Sequence, residues 1–174
     1  MKFQVVTMTL LTALLVACGS NQIEQPEEYR LLNVVTTVSP ITSIVENIGG
    51  KRILVRGIVP EGANSHTFDP PPSTARVLAD ADLFIANGLY LEEPAIEMFN
   101  ANHGDGARAV LLGELAIAPE EWQFDFSFPE ANGQPNPHLW PDPILALKYA
   151  GIVRDALTTS DPNGATYYGA NYEE

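Results

Sequence analysis

The residues best suited to chemistry in this chain are two histidines in matching surroundings. His66 lies in Ser65-His66-Thr67-Phe68-Asp69-Pro70, and His138 in Pro137-His138-Leu139-Trp140-Pro141-Asp142-Pro143. Each has an aromatic residue two positions on, followed by an aspartate and then a proline. Prolines stiffen a loop and reduce the entropy lost when a side chain is fixed. Aromatic neighbours limit water and lower the local dielectric. A neutral imidazole binds zinc and similar transition metals through one ring nitrogen. A closed zinc site takes four ligands, so two histidines alone make an incomplete site. On residue types, the pair reads either as two metal ligands or as two solvated loop imidazoles.

Other residues qualify this picture. The third histidine, His103, sits in Asn102-His103-Gly104-Asp105-Gly106 and reads as a solvated turn residue. Asp69 and Asp142 are candidates for hydrogen bonding to a ligand histidine, and Asp142 is also placed to cap a helix. Phe68 and Trp140 read as packing residues. Glu120, Glu121, Asp125 and Glu130 are interleaved with Trp122, Phe124, Phe126 and Phe128. That segment reads as a solvated lid with its aromatic side inward, or as a gate that attracts cations. The chain has no Gly-rich phosphate loop, no GxSxG and no HExxH. A zinc hydrolase would need a carboxylate base beside the histidines, and no glutamate adjoins either.

Cys18 is the single cysteine, so an internal disulfide and a thiolate metal cluster are both excluded. It follows Leu15-Val16-Ala17, after Lys2 and a short apolar run, in the manner of a bacterial lipobox. We expect residues 1–17 to be a lipoprotein signal peptide, Cys18 the lipidation site, and residues 18–30 a polar flexible tether. The formal charge is −13, from nine basic and 22 acidic residues. That balance excludes a nucleic-acid partner, which requires a basic footprint. It raises the local concentration of cations.

Behind these loops the pattern alternates strand and helix. Strands are expected at residues 31–37, 53–59, 83–87 and 109–112. Between the first two, Ser39 is expected to cap a helix with Pro40 at its first position. Ile41, Ile44, Val45 and Ile48 give it an apolar stripe, and Gly49-Gly50 end it. Residues 60–72 form a loop, and helices are expected at 73–81 and around 92–100. Residues 113–137 read as one long loop. Asp142 caps a helix opening at Pro143, and Asp161-Pro162 repeats that signature. Such alternation predicts an α/β domain, a Rossmann-like lobe with a mostly parallel four-stranded sheet flanked by helices. Ligands of such sheets sit beyond the carboxyl ends of the strands. The loops carrying His66 and His138 follow the second and fourth strands and so share that rim.

Several blocks, in order, resemble the cluster A-I zinc/manganese-type solute-binding proteins of ABC transporters. They are Val34–Thr37 with Ser39-Pro40-Ile41, Asn47-Ile48-Gly49-Gly50, Val59-Pro60-Glu61-Gly62, the His66 block, Ala79-Asp80-Ala81-Asp82-Leu83, Asn87-Gly88-Leu89-Tyr90-Leu91-Glu92 and the His138 block. The resemblance implies two α/β lobes joined by a long helix, with Zn2+ or Mn2+ held between them as the transported ligand. It implies His66 and His138 as the metal ligands of the N-terminal lobe. A histidine or glutamate and an aspartate from the other lobe would complete the set. Residues 31–160 correspond to the N-terminal lobe and 161–174 to the start of the linking helix, so the chain is expected to stop before the second lobe. The implied partners are an ABC permease and its ATPase, with the membrane reached through the lipid anchor, and no enzymatic activity. An adhesion or scaffolding lipoprotein of the same fold is the alternative.

Overall fold

The computed structural model describes residues 30–174. The signal peptide, Cys18 and nearly all of the expected tether lie outside the described residues. Four strands form one sheet in the order β2-β1-β3-β4: β1 (Leu32–Thr36), β2 (Ile53–Gly57), β3 (Leu83–Ala86) and β4 (Arg108–Leu111). All three pairings are parallel. The chain must therefore recross after each strand, and helices make those crossings.

Side chains alternate across the sheet, and each face has its own core. On one face Leu32, Val34, Leu83 and Ile85 meet Ile41, Val45 and Ile48 of α1 (Ser39–Gly49). The same core takes in Tyr149, Val153 and Leu157 of α5 (Pro143–Ser160) and Tyr168 of α6 (Ala165–Glu173). On the other face Val35 and Phe84 meet Leu78 of α2 (Thr74–Ala79) and Ala95 and Phe99 of α3 (Glu93–Asn102). Phe84 and Phe99 stack at 4.8 Å between centroids. The expected apolar stripe of α1 is the stripe that is buried, apart from the half-buried Ile44.

Several element ends differ from expectation. Ser39 is the first residue of α1 rather than its cap; the cap position is Val38, which has no side chain able to bond. Pro40 supplies the start instead, because its fixed φ suits the first turn and its missing N–H needs no partner there. The expected loop at 113–137 is broken by α4 (Leu112–Ala116) and by 3-10 turns at Pro119–Glu121 and Glu130–Asn132. Asp142 caps α5 as expected, its Oδ1 accepting from the Ile144 amide at 2.7 Å. Asp161 does not cap. Its carboxylate accepts from Arg52 Nε at 2.9 Å and from the Tyr168 hydroxyl at 2.7 Å. The chain passes through a 3-10 turn at Pro162–Gly164 before α6 begins. That ion pair and Asn171 Nδ2, which donates to Ile48 O at 2.9 Å, fasten α6 to the lobe.

Candidate metal site

Parallel strands carry the loops after β2 and β4 to one rim, and there the two histidines meet. His66 Nε2 and His138 Nε2 are 3.1 Å apart, with ring centroids 5.0 Å apart. Two ligand nitrogens on a tetrahedral zinc, each about 2.0–2.1 Å from the ion, stand about 3.3 Å from each other. The pair is therefore at nearly the separation a shared ion requires. His103 is elsewhere. It ends α3, which returns the chain to the amino ends of the strands, and it stacks on Phe99 at 5.0 Å. Among the described residues, no third histidine, cysteine, aspartate or glutamate joins the pair in a metal-sized group.

Each histidine is placed by an asparagine two residues before it. Asn64 Oδ1 accepts from the His66 amide at 3.0 Å, within the 3-10 turn Ser65–Thr67. Asn136 Oδ1 accepts from the His138 amide at 3.0 Å and lies 2.8 Å from His138 Nδ1. A carboxamide oxygen only accepts, so His138 carries its proton on Nδ1. Its Nε2 lone pair then points at the partner ring. The remaining proton between the two rings belongs to His66 Nε2. Asn136 is held in turn by Asp125 Oδ2, which accepts from its Nδ2 at 2.8 Å. Asp125 Oδ1 accepts from the Ser127 and Phe128 amides at 2.7 and 3.0 Å.

Aromatic rings wall the pair. Phe128 lies 5.5 Å from the His66 ring and 5.7 Å from the His138 ring, and Trp140 lies 5.2 Å from His138. Partial burial lowers the His138 pKa below the usual histidine range, repulsion from His66 lowers it further, and Asp125 opposes both. At neutral pH His138 is thus in the neutral form a metal needs. Loss of hydration tends to raise the Asp125 pKa. The Phe128 and Ser127 amides, Asn136 and the charge on His138 outweigh that and hold it low.

A buried polar scaffold stands behind the His138 loop. Asn87 Nδ2 donates to Pro137 O at 3.0 Å, and Asn87 Oδ1 accepts from the Tyr149 hydroxyl at 2.8 Å. Burial pushes the Tyr149 phenol far up, with Glu92 and Glu114 adding to the shift, so it stays a donor. Glu92 is 2% exposed. Its Oε1 accepts from Thr37 Oγ1 at 2.6 Å and from the Asn87 amide at 3.1 Å, and its Oε2 accepts from the Gly88 amide at 3.0 Å. These bonds span three successive residues with positive φ, namely Gly88 at 75°, Leu89 at 51° and Tyr90 at 66°. Left-handed backbone is unfavourable for Leu and Tyr. The turn is held by the Glu92 bonds, by Glu114 Oε1 accepting from the Leu89 amide at 2.8 Å, and by burial of Leu89.

Of the residues singled out by sequence, His66 and His138 are brought together. Trp140 and Phe68 pack against the main core as expected. Asp142 caps α5, and Asp69 is exposed; neither hydrogen-bonds to an imidazole. The residue bonded to His138 is Asn136. Its signal was the repeated spacing Asn64-x-His66 and Asn136-x-His138. Asp125 and Phe128, from the acidic aromatic segment, support the pair directly, whereas Phe126 is 98% exposed.

The family model described as "ZnuA: Zinc-uptake complex component A periplasmic" matches residues 34–174. The chain belongs to the ZnuA family. Among ZnuA-like relatives, the "Manganese-binding lipoprotein MntA" of Halalkalibacterium halodurans is 33% identical over 171 residues, covering 98% of this chain and 53% of that protein. The Mn-bound periplasmic metal binding protein of Candidatus Liberibacter asiaticus superposes with a TM-score of 0.71 at 30% identity, over 82% of this chain and 50% of that one. The periplasmic zinc binding protein TroA of Treponema pallidum shares the fold, with a TM-score of 0.73 at 24% identity over 83% and 50% of the two chains. The chain spans about half the length of the curated ZnuA-like relatives it matches.

The Asn136 contact carries a prediction. Asn136→Ala removes the acceptor that fixes the His138 tautomer. Loss of such a partner typically weakens metal affinity about 10- to 100-fold. Zinc calorimetry on this variant should show that drop with the far-ultraviolet circular dichroism unchanged. Undiminished affinity would mean that Asn136 does not orient His138 for binding.

Proposed function

We propose that this chain is the metal-capturing part of the substrate-binding component of an ABC uptake transporter, and that it takes a zinc or manganese ion through Nε2 of His66 and His138. The observation that carries this is the convergence of the two Nε2 atoms at 3.1 Å, with His138 Nδ1 occupied by Asn136. Two positions of a tetrahedral ion remain for other ligands. The resemblance assigns those to a second lobe, and the chain spans about half the length of its relatives. The two imidazoles taken alone favour zinc over manganese in affinity. Relatives are described as manganese-binding and as zinc-bound, so the remaining ligands decide the cargo. The binding step is ligand exchange: the cation takes both Nε2 atoms, His66 moves its proton from Nε2 to Nδ1, and each ring stays neutral. No bond of a substrate is made or broken. Delivery is to a permease with its ATPase, and Cys18 anchors the chain at the outer side of the membrane.

Calorimetric titration with zinc and with manganese across pH tests this. One zinc ion per chain is expected at neutral pH. A ligand protonated in the free protein costs about tenfold in affinity per pH unit below its pKa. Because the His138 pKa is lowered, proton competition at that ring begins below the ordinary histidine range, near 6.5. Affinity should hold near neutrality and fall progressively in acid. Binding that is absent at neutral pH, or that ignores pH, would refute the two-histidine site.

A further inference from the structure

The face of the sheet that carries α2 and α3 is not fully covered. Ile53 and Val55 of β2 turn towards the α1 face, so Leu54 and Arg56 turn towards this one. Leu54 is 54% exposed there. Beside them on β1 are Asn33 and Val35. The opposite wall is α2 with its two cap residues: Ser73, Arg76, Val77 and Asp80 fall at the i, i+3, i+4, i+7 spacing of one helix face. Together they line a cavity of about 390 Å3. It shares no residue with the two-histidine site. Cavities of roughly 300–1,000 Å3 with apolar walls and a few polar groups are the size of small-molecule sites.

The charge within it is unusual for this chain. Of the six arginines, Arg30, Arg52 and Arg154 are each engaged in an ion pair, and Arg108 lies on β4, outside the cavity lining. Arg56 and Arg76, on opposite walls, have no ion pair or hydrogen bond from their guanidinium groups among the described residues. On a chain of net charge −13, the cavity thus gathers two cations against one carboxylate, Asp80. A guanidinium presents a planar fork of donors that matches carboxylate and phosphate. The antiparallel course of α2 against β2 sets Arg56 and Arg76 towards the carboxyl ends of the strands. Leu54 and its register partner Asn33 then lie towards the amino ends with Asp80, and Val35 lies level with its register partner Arg56.

We propose that this slot binds an amphiphilic anion, with a phosphate or carboxylate head held by Arg56 and Arg76 and a short apolar tail laid against Val35, Leu54 and Val77. The two walls are complementary to such a molecule and to neither half of it alone. Asp80 and the apolar floor disfavour a bare polyanion, and the paired arginines disfavour a neutral apolar ligand.

Octyl phosphate, inorganic phosphate and octanol, titrated into the full chain by calorimetry, test this. Octyl phosphate should bind saturably at one per chain and more tightly than either of the other two probes. Losing one charged hydrogen-bonding partner weakens binding by about tenfold or more. Arg56→Gln/Arg76→Gln should therefore weaken octyl phosphate about a hundredfold. Leu54→Ser should weaken octyl phosphate and leave inorganic phosphate unchanged. Both sets of positions are exposed, and unfolding curves check that the variants fold. Vesicles of phosphatidylglycerol separate the sources: arginine-dependent vesicle binding assigns the head group to a membrane lipid, and binding of the soluble probe alone assigns it to a free anion. Absence of saturable binding, equal binding of octyl and inorganic phosphate, or an unaffected double variant would overturn the proposal. Arg56 would then be a charge that keeps edge strand β2 from pairing with other chains, and Arg76 a solvated helix residue.

Discussion

The His66→Ala/His138→Ala double variant is expected to lose zinc binding by a factor on the order of 10^4. Structural zinc in small peptides contributes roughly 10–16 kcal/mol over four ligands. An equal share is about 3 kcal/mol for each, or about a hundredfold per ligand. Each single variant should therefore lose about a hundredfold and leave one weak, pH-dependent contact. The fold should survive, because His66 is exposed and His138 is half-buried at the loop surface. Paired urea denaturation and zinc calorimetry separate the two effects. If the double variant binds one zinc ion as tightly as the parent, the metal sits elsewhere and the convergence of the two rings has another cause.

The largest effect on stability is expected at Glu92. Glu92→Leu keeps the volume and removes three acceptor contacts at once. The Thr37 hydroxyl and the Asn87 and Gly88 amides would be left buried without that partner. A buried unsatisfied donor costs about 1–3 kcal/mol, so a loss of about 3–5 kcal/mol is expected, lessened by relaxation. The left-handed turn at 88–90 would lose its brace, and Asn87 would lose its hold on Pro137 beside His138. Zinc affinity should fall with stability, though no metal ligand has changed. Urea unfolding checks the first effect and calorimetry the second; a loss below about 1 kcal/mol would show that the network is not a brace. The proton linkage at this residue has a definite sign. Burial raises the Glu92 pKa, partly offset by the bonds from Thr37, Asn87 and Gly88. As pH falls through that raised value towards the ordinary carboxylate range, the folded state takes up a proton before the unfolded chain does. Glu92 alone then adds stability as pH falls through that window.

Much of the fold was legible because the signals that define it are local. Four apolar runs separated by helical periodicity specify a parallel sheet, since consecutive strands with long crossovers have few other arrangements. Asp142 before Pro143 marks a cap by its own chemistry, and the cap is made within three residues. The expected convergence of His66 and His138 needed only the rule that parallel strands end at one rim. Asp161 before Pro162 shows the limit of the same local rule. Its carboxylate is drawn away by Arg52, 109 positions earlier in the chain.

What the sequence alone determined, then, is the layered α/β architecture and the pairing of two loop histidines. Periodicity and strand order act over short stretches and survive any tertiary context that buries them. The tertiary structure decided how those histidines are held. Asn136 binds His138 through a tautomer choice, Asp125 reaches Asn136 across 11 positions, and Phe128 folds back onto both rings. Glu92, which by pattern merely opens a helix, braces the site because it is buried beside Thr37, 55 positions away. Such contacts come from burial and loop closure over long separations. A carboxylate at a helix start looks the same in sequence whether it faces water or three buried donors.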